Sequence, residues 1–184
     1  ASVLAPDLPL ARWLFGAYLS REGLFEDAMR ELTAAAELSP DDPVIAYEVG
    51  VALALQGRMD AALDAFARSV DLDQAEGWGL VVMGLTEAEL DRMEEAARDL
   101  AAGARLRPED VEAQLLASLA AAASGYEDLA YEMLERGRQT AQAGDLPLLE
   151  AVEDRINEGG ESARSLLAQD LLSGALRERL MNRP

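Results

Sequence analysis

The chain has 184 residues, half of them hydrophobic but only 5% aromatic, and carries a formal charge of −19 from 35 acidic and 16 basic residues. Such a field repels phosphate backbones and anionic membrane surfaces, which argues against nucleic acid and anionic lipid as partners. Histidine and cysteine are absent and every basic residue is arginine, so the usual general base, thiol nucleophile, Schiff-base amine and disulfide framework are all missing.

Taken in order, the elements repeat. Asp7-Leu8-Pro9 places an acid just ahead of a proline and predicts a helix start. Gly16 and Ala28 follow, then Leu32 and Pro40, and Asp42-Pro43 opens the next helix as an N-cap with proline at the first helical position. The same register returns after 34 residues as Gly50, Ala62 and Phe66, again as Gly84, Ala96, Leu100 and Pro108, and a fourth time as Ser118, Ala130 and Leu134. Gln74 and Gln142 stand where the prolines would recur. A second row, Gly23, Gly57, Asp91 and Gly125, marks where each first helix stops in a left-handed turn. Gly16, Gly50, Gly84 and Ser118 on the first helix, facing Ala28, Ala62, Ala96 and Ala130 on the second, allow the backbones of an antiparallel pair to approach, with the large residue filling the space between repeats. No proline interrupts a predicted helix interior and no alternating strand pattern appears.

This pattern resembles the tetratricopeptide repeat (TPR), which has the same period and the same order of small, large apolar and proline positions. The resemblance implies an all-α fold, a right-handed α-solenoid of antiparallel helix pairs. Residues 1–8 form a lead-in, residues 9–42, 43–76, 77–110 and 111–144 four repeats, and residues 145–184 a degenerate repeat or capping helices. It also implies that partners bind a concave wall made by the second, fifth, ninth and twelfth positions of each first helix. Those positions supply Trp13 and Ala17, Tyr47 and Val51, Trp78, Val81 and Leu85, then Leu115 and Leu119, a largely apolar set. Clamp-type TPRs grip an acidic C-terminus with lysine and asparagine there, and this wall has neither. An apolar, aromatic wall suits an amphipathic helix or apolar peptide, with Glu48 and Glu89 as acidic rims that favour basic flanks on the partner.

Beyond the repeats, Leu146, Leu149, Val152 and Ile156 form one stripe at helical spacing, and Leu167, Leu171, Leu172, Leu176 and Leu180 a second. Gly159-Gly160 separates them. The pair reads as a cap over the fourth repeat; the alternative is that part of the last stripe, with Arg177, Arg179 and Arg183 on its polar side, leaves the body at a Gly174 hinge and contacts another molecule. No apolar run approaches the roughly 18 residues of a membrane span. The arginine-only, alanine-rich composition suggests a soluble bacterial protein, cytoplasmic or periplasmic, and the first residue, Ala1, leaves room for a removed targeting segment or domain. Asp71, Asp73 and Glu76 lack the glycine and ligand spacing of a calcium loop, so no metal or cofactor is expected. The expected function is a non-enzymatic interaction module or scaffold with an apolar groove. The alternative is an assembly protein that self-associates through the groove or the terminal helices.

Overall fold

The computed structural model describes residues 8–75, 77–168 and 172–181, and among these the chain is all-α with no strand. It is an α-solenoid of consecutive antiparallel pairs. The pairs are α1 (Pro9–Arg21) with α2 (Phe25–Leu38), α3 (Pro43–Leu55) with α4 (Met59–Leu72), α5 (Trp78–Glu89) with α6 (Met93–Leu106), and α7 (Val111–Ala123) with α8 (Glu127–Thr140). Three further helices follow, α9 (Leu146–Glu158), α10 (Gly160–Leu166) and α11 (Leu172–Met181).

Each hairpin is closed by the same turn. Gly23, Gly57 and Gly125 have φ near +77°, and Asp91 takes their place at φ 60°, a left-handed conformation unusual for a side chain. Two backbone bonds recur there, for example Gly57 N to Ala54 O at 2.9 Å and Arg58 N to Leu53 O at 2.9 Å, which satisfy carbonyls that a helix end otherwise leaves open. Starts are also marked by sequence. Asp42 accepts from Val44 N at 2.9 Å and Ile45 N at 3.4 Å, and Asp110, in the same register two repeats later, accepts from Ala113 N at 3.0 Å. Asp145 departs from its expected role, because its carboxylate accepts from Gln142 N at 2.8 Å and makes no bond to α9. Asp7 lies outside the described residues.

Inside each hairpin the large residue sits directly over the small one. A Cβ on Gly16 would lie 2.7 Å from the Leu32 side chain, one on Gly50 2.5 Å from the Phe66 ring, and one on Gly84 2.7 Å from the Leu100 side chain. Leu32, Phe66 and Leu100 therefore reach into the interior of their own hairpins, each over its glycine. All three are fully buried, each burial contributing about 1.5–3 kcal/mol. Ser118 has the larger side chain at this position, and its hydroxyl donates to the Ala130 carbonyl at 2.6 Å.

The chain forms two compact units. One comprises residues up to Gln74 together with Leu180 and Met181; the other runs from Ala75 to Arg179. In the first, α3 packs on α4 and also against α1 and α2. In the second, α7 packs against α6 and α8, α9 joins α7 and α8, and α10 lies on α7 and α9.

Candidate functional site

The nine residues expected to line an open trough are placed as follows. In the first unit Trp13 is half-buried, with its indole Nε1 out of contact with solvent and lacking a hydrogen-bond partner, while Ala17, Tyr47 and Val51 are buried. The Tyr47 ring meets Phe66 at a centroid distance of 5.5 Å, so it belongs to the core between α3 and α4. In the second unit Trp78, Val81, Leu85, Leu115 and Leu119 are all at most 5% exposed. An open oily wall is therefore absent at these positions.

In the second unit, the helices after the repeats supply cover. Gly160, the first residue of α10, approaches α7 so closely that a Cβ on it would fall 2.7 Å from the Ala122 carbonyl. Ala122 is the twelfth position of its repeat, so α10 enters on the face assigned to partners. Arg164 of α10 then pairs with Asp91 in the α5–α6 turn at 3.0 Å. Farther on, α11 reaches the other end of the same face. Arg179 donates from Nη1 to Asp110 Oδ2 at 2.7 Å, and from Nη2 to Asp110 Oδ1 and Glu112 Oε2 at 2.8 Å each.

Arg179 is 5% exposed, although its sequence position suggested the polar side of the last helix. Its guanidinium carbon lies 5.2 Å from the Trp78 ring centroid, and that of Arg107 lies 4.9 Å from it. Burial alone would raise the pKa of Asp110, but the hydrogen bonds and charge of Arg179, the Ala113 N–H and the charge of Arg107 outweigh it and hold the carboxyl below its ordinary value. A forked, charge-assisted pair over an indole is the geometry that distinguishes arginine from lysine. Arg177 is exposed, Gly174 lies within α11, and Arg183 is outside the described residues, as are Leu171 and the side chain of Leu172.

In the first unit the acidic rim is also closed. Glu48 is 3% exposed and accepts a fork from Arg21, at 3.1 Å from Nη1 and 3.2 Å from Nη2, so it is no free attractor for a basic flank. Arg21 further donates to the Ala17 carbonyl at 2.9 Å and to the Met181 carbonyl at 3.2 Å. Glu89 remains exposed. Among the described residues of this unit, apolar surface stays open in a crevice and on α1. A crevice of about 420 Å³ between α2, α3 and α4 is lined by Ala36, Ile45, Val49, Leu53 and Ala65 with Asp64 and Arg68 among its polar lining, on the side of α3 away from Tyr47 and Val51. On α1, Leu10, Leu14 and Tyr18 are each more than half exposed at one-turn spacing.

A further buried acid interrupts the repeat register. Glu87 occupies the position of Leu19, Leu53 and Ala121, and its partner Asp99 the position of Glu31, Ala65 and Met133. Desolvation, with the charge of Asp99 and a shared hydrogen bond to it, raises Glu87 to about 8, against the opposing charge of Arg98, and Glu87 Oε2 has no partner. Register comparison of the repeats would have exposed Glu87, as it would the Asp110 cap. The burial of Arg179 had no such signal, because its contacts are with residues 67 and 69 positions away.

Among the described residues no cluster of three or more acidic side chains is placed to hold a metal ion, and no helix is long and apolar enough to cross a membrane. Glu76 lies outside them. No family model and no curated protein sequence matches the chain. Solved structures do match its fold. A crystal structure of MamA, a TPR-like solenoid, is similar with a TM-score of 0.66 and 19% identity over 76% of this chain and 81% of that one. A second MamA structure, "MamA MSR-1 C2", is similar with a TM-score of 0.65 and 16% identity over 93% of this chain and 97% of that one, so the likeness is one of fold across nearly the full length.

Proposed function

We propose that the chain is a non-enzymatic protein-interaction module of TPR type that receives a helix against the first helices of its repeats. The supporting observation is that in the second unit this face already holds helices: α10 rests on Ala122 through Gly160, and α11 anchors at Glu112 and Trp78 through Arg179. The face is thus shaped for the amphipathic-helix mode of recognition, and its own C-terminal segment occupies it. Val81 and Leu115 lie beside Gly103 and Gly137, against the second helices of their own hairpins. The test is crosslinking of captured proteins to immobilised wild type and Arg179→Ala. Crosslinks to α5 and α7 that increase in the variant support the reading; crosslinks confined to the outer faces of α6 and α8 contradict it.

Self-association is the second reading, and the exposed row Leu10, Leu14 and Tyr18 on α1 favours it. Of the same register positions on α7, Leu116 and Ala120 are buried and Glu112 is part-exposed. Sedimentation across a concentration series is the test. A dimer abolished by Leu14→Glu supports self-association through α1, and a monomer at all concentrations excludes it.

A further inference from the structure

The contacts of Arg179 define a site of their own. Its walls are Asp110, Glu112 and Trp78, and most of it is fixed without Arg179. Asp110 is held by its cap bond to Ala113 N at 3.0 Å and by Arg107 at 3.5 Å, and the Trp78 ring is held under Arg107. Two carboxylates beside an indole face form a receptor for one guanidinium, which they meet with a fork and a cation–π contact. The segment that supplies the guanidinium carries a helix-weakening residue. Gly174 lies inside α11, where glycine's conformational freedom disfavours the helix, so a competing helix meets a weakened segment to displace.

Resting on the interaction-module reading above, we infer that Trp78, Asp110 and Glu112 form an arginine-reading subsite for a partner helix, which α11 fills in cis as a built-in pseudo-ligand. The face α11 presents describes the partner. Ala175, Leu176, Arg179 and Leu180 are its buried residues, while Arg177 and Glu178 are exposed. The partner is a helix carrying Ala-Leu-x-x-Arg, with the arginine one turn after the small-large apolar pair. A lysine at that position offers a single point charge and no fork, so it binds more weakly.

The experiment uses the full-length chain and a fluorescein-labelled peptide of residues 172–181, followed by anisotropy. Wild type, with its subsite filled, is expected to bind the peptide at least tenfold more weakly than Arg179→Ala, whose subsite is vacated. A control peptide with alanine in place of its arginine is expected to lose at least tenfold in affinity for that variant. If both peptides bind the variant equally, the arginine subsite is refuted and the helix-binding face survives; if neither binds, both fall. Circular dichroism and a cooperative melt verify the fold of the variant. If Arg179→Ala does not melt cooperatively, Arg179→Lys takes its place in the same comparison, with the same outcomes decisive.

Discussion

The ring of Phe66 lies where a side chain on Gly50 would have to go, since a Cβ there would sit 2.5 Å from the ring. Phe66 is fully buried. Gly50→Ala is therefore expected to destabilise the chain. Overpacking costs about 1–3 kcal/mol, which outweighs the roughly 1 kcal/mol alanine gains over glycine in a helix. Urea denaturation is the check, with Gly50→Ala combined with Phe66→Leu expected to recover part of the loss. Additive effects of the two changes would show that the contact is not what excludes a side chain there.

Arg21 and Glu48 make the corresponding polar commitment in the first unit. Removing the carboxylate leaves a partly buried guanidinium with fewer partners, so Glu48→Ala is expected to cost about 2 kcal/mol or more. Glu48→Gln retains an acceptor and should cost less. Equal, negligible losses in thermal melts would place Glu48 on a solvated rim after all.

Tyr47 separates a core role from a contact role. It is 1% exposed against Phe66, so Tyr47→Ala is expected to cost about 3–5 kcal/mol, the range for large aromatic truncations in cores. A variant as stable as wild type would show that the residue is not packed as described.

Glu87 makes stability fall with rising pH. Its folded pKa, about 8, lies above the ordinary 4.5, so the folded state holds a proton that the unfolded state releases. Stability from this group is complete below pH 4.5 and lost as pH rises through 8. Glu87→Leu, which restores the residue found at positions 19 and 53, is expected to add about 1–3 kcal/mol at pH 9, the cost of a buried unsatisfied polar group, and to remove this slope. Guanidinium melts from pH 5 to 9 read it, and an unchanged slope in the variant would assign the dependence elsewhere.

Much of the fold was legible because it is local and periodic. The Gly16, Gly50 and Gly84 row, the Asp42 cap and the left-handed turns at Gly23, Gly57, Asp91 and Gly125 follow from packing and backbone rules that act within one hairpin. Helical spacing also marked the tail, where Leu167 and Leu176 are buried. What the tail covers was not legible. Periodicity says which side of a helix is apolar but not what lies against it, and Arg179 reads as solvated until Asp110, Glu112 and Trp78 are brought to it. The wall positions carried the same ambiguity, because an apolar face that binds a partner and one that is sealed by the same chain have one composition.

The most direct test of that sealed face is the accessibility of Trp78, measured by acrylamide quenching in a Trp13→Phe background so that one indole reports. Weak quenching is expected in the otherwise unchanged chain, and a several-fold larger quenching constant with Arg179→Ala at unchanged helical content. Strong quenching before the Arg179 contacts are removed, or no increase afterwards, would show that α11 does not seal Trp78.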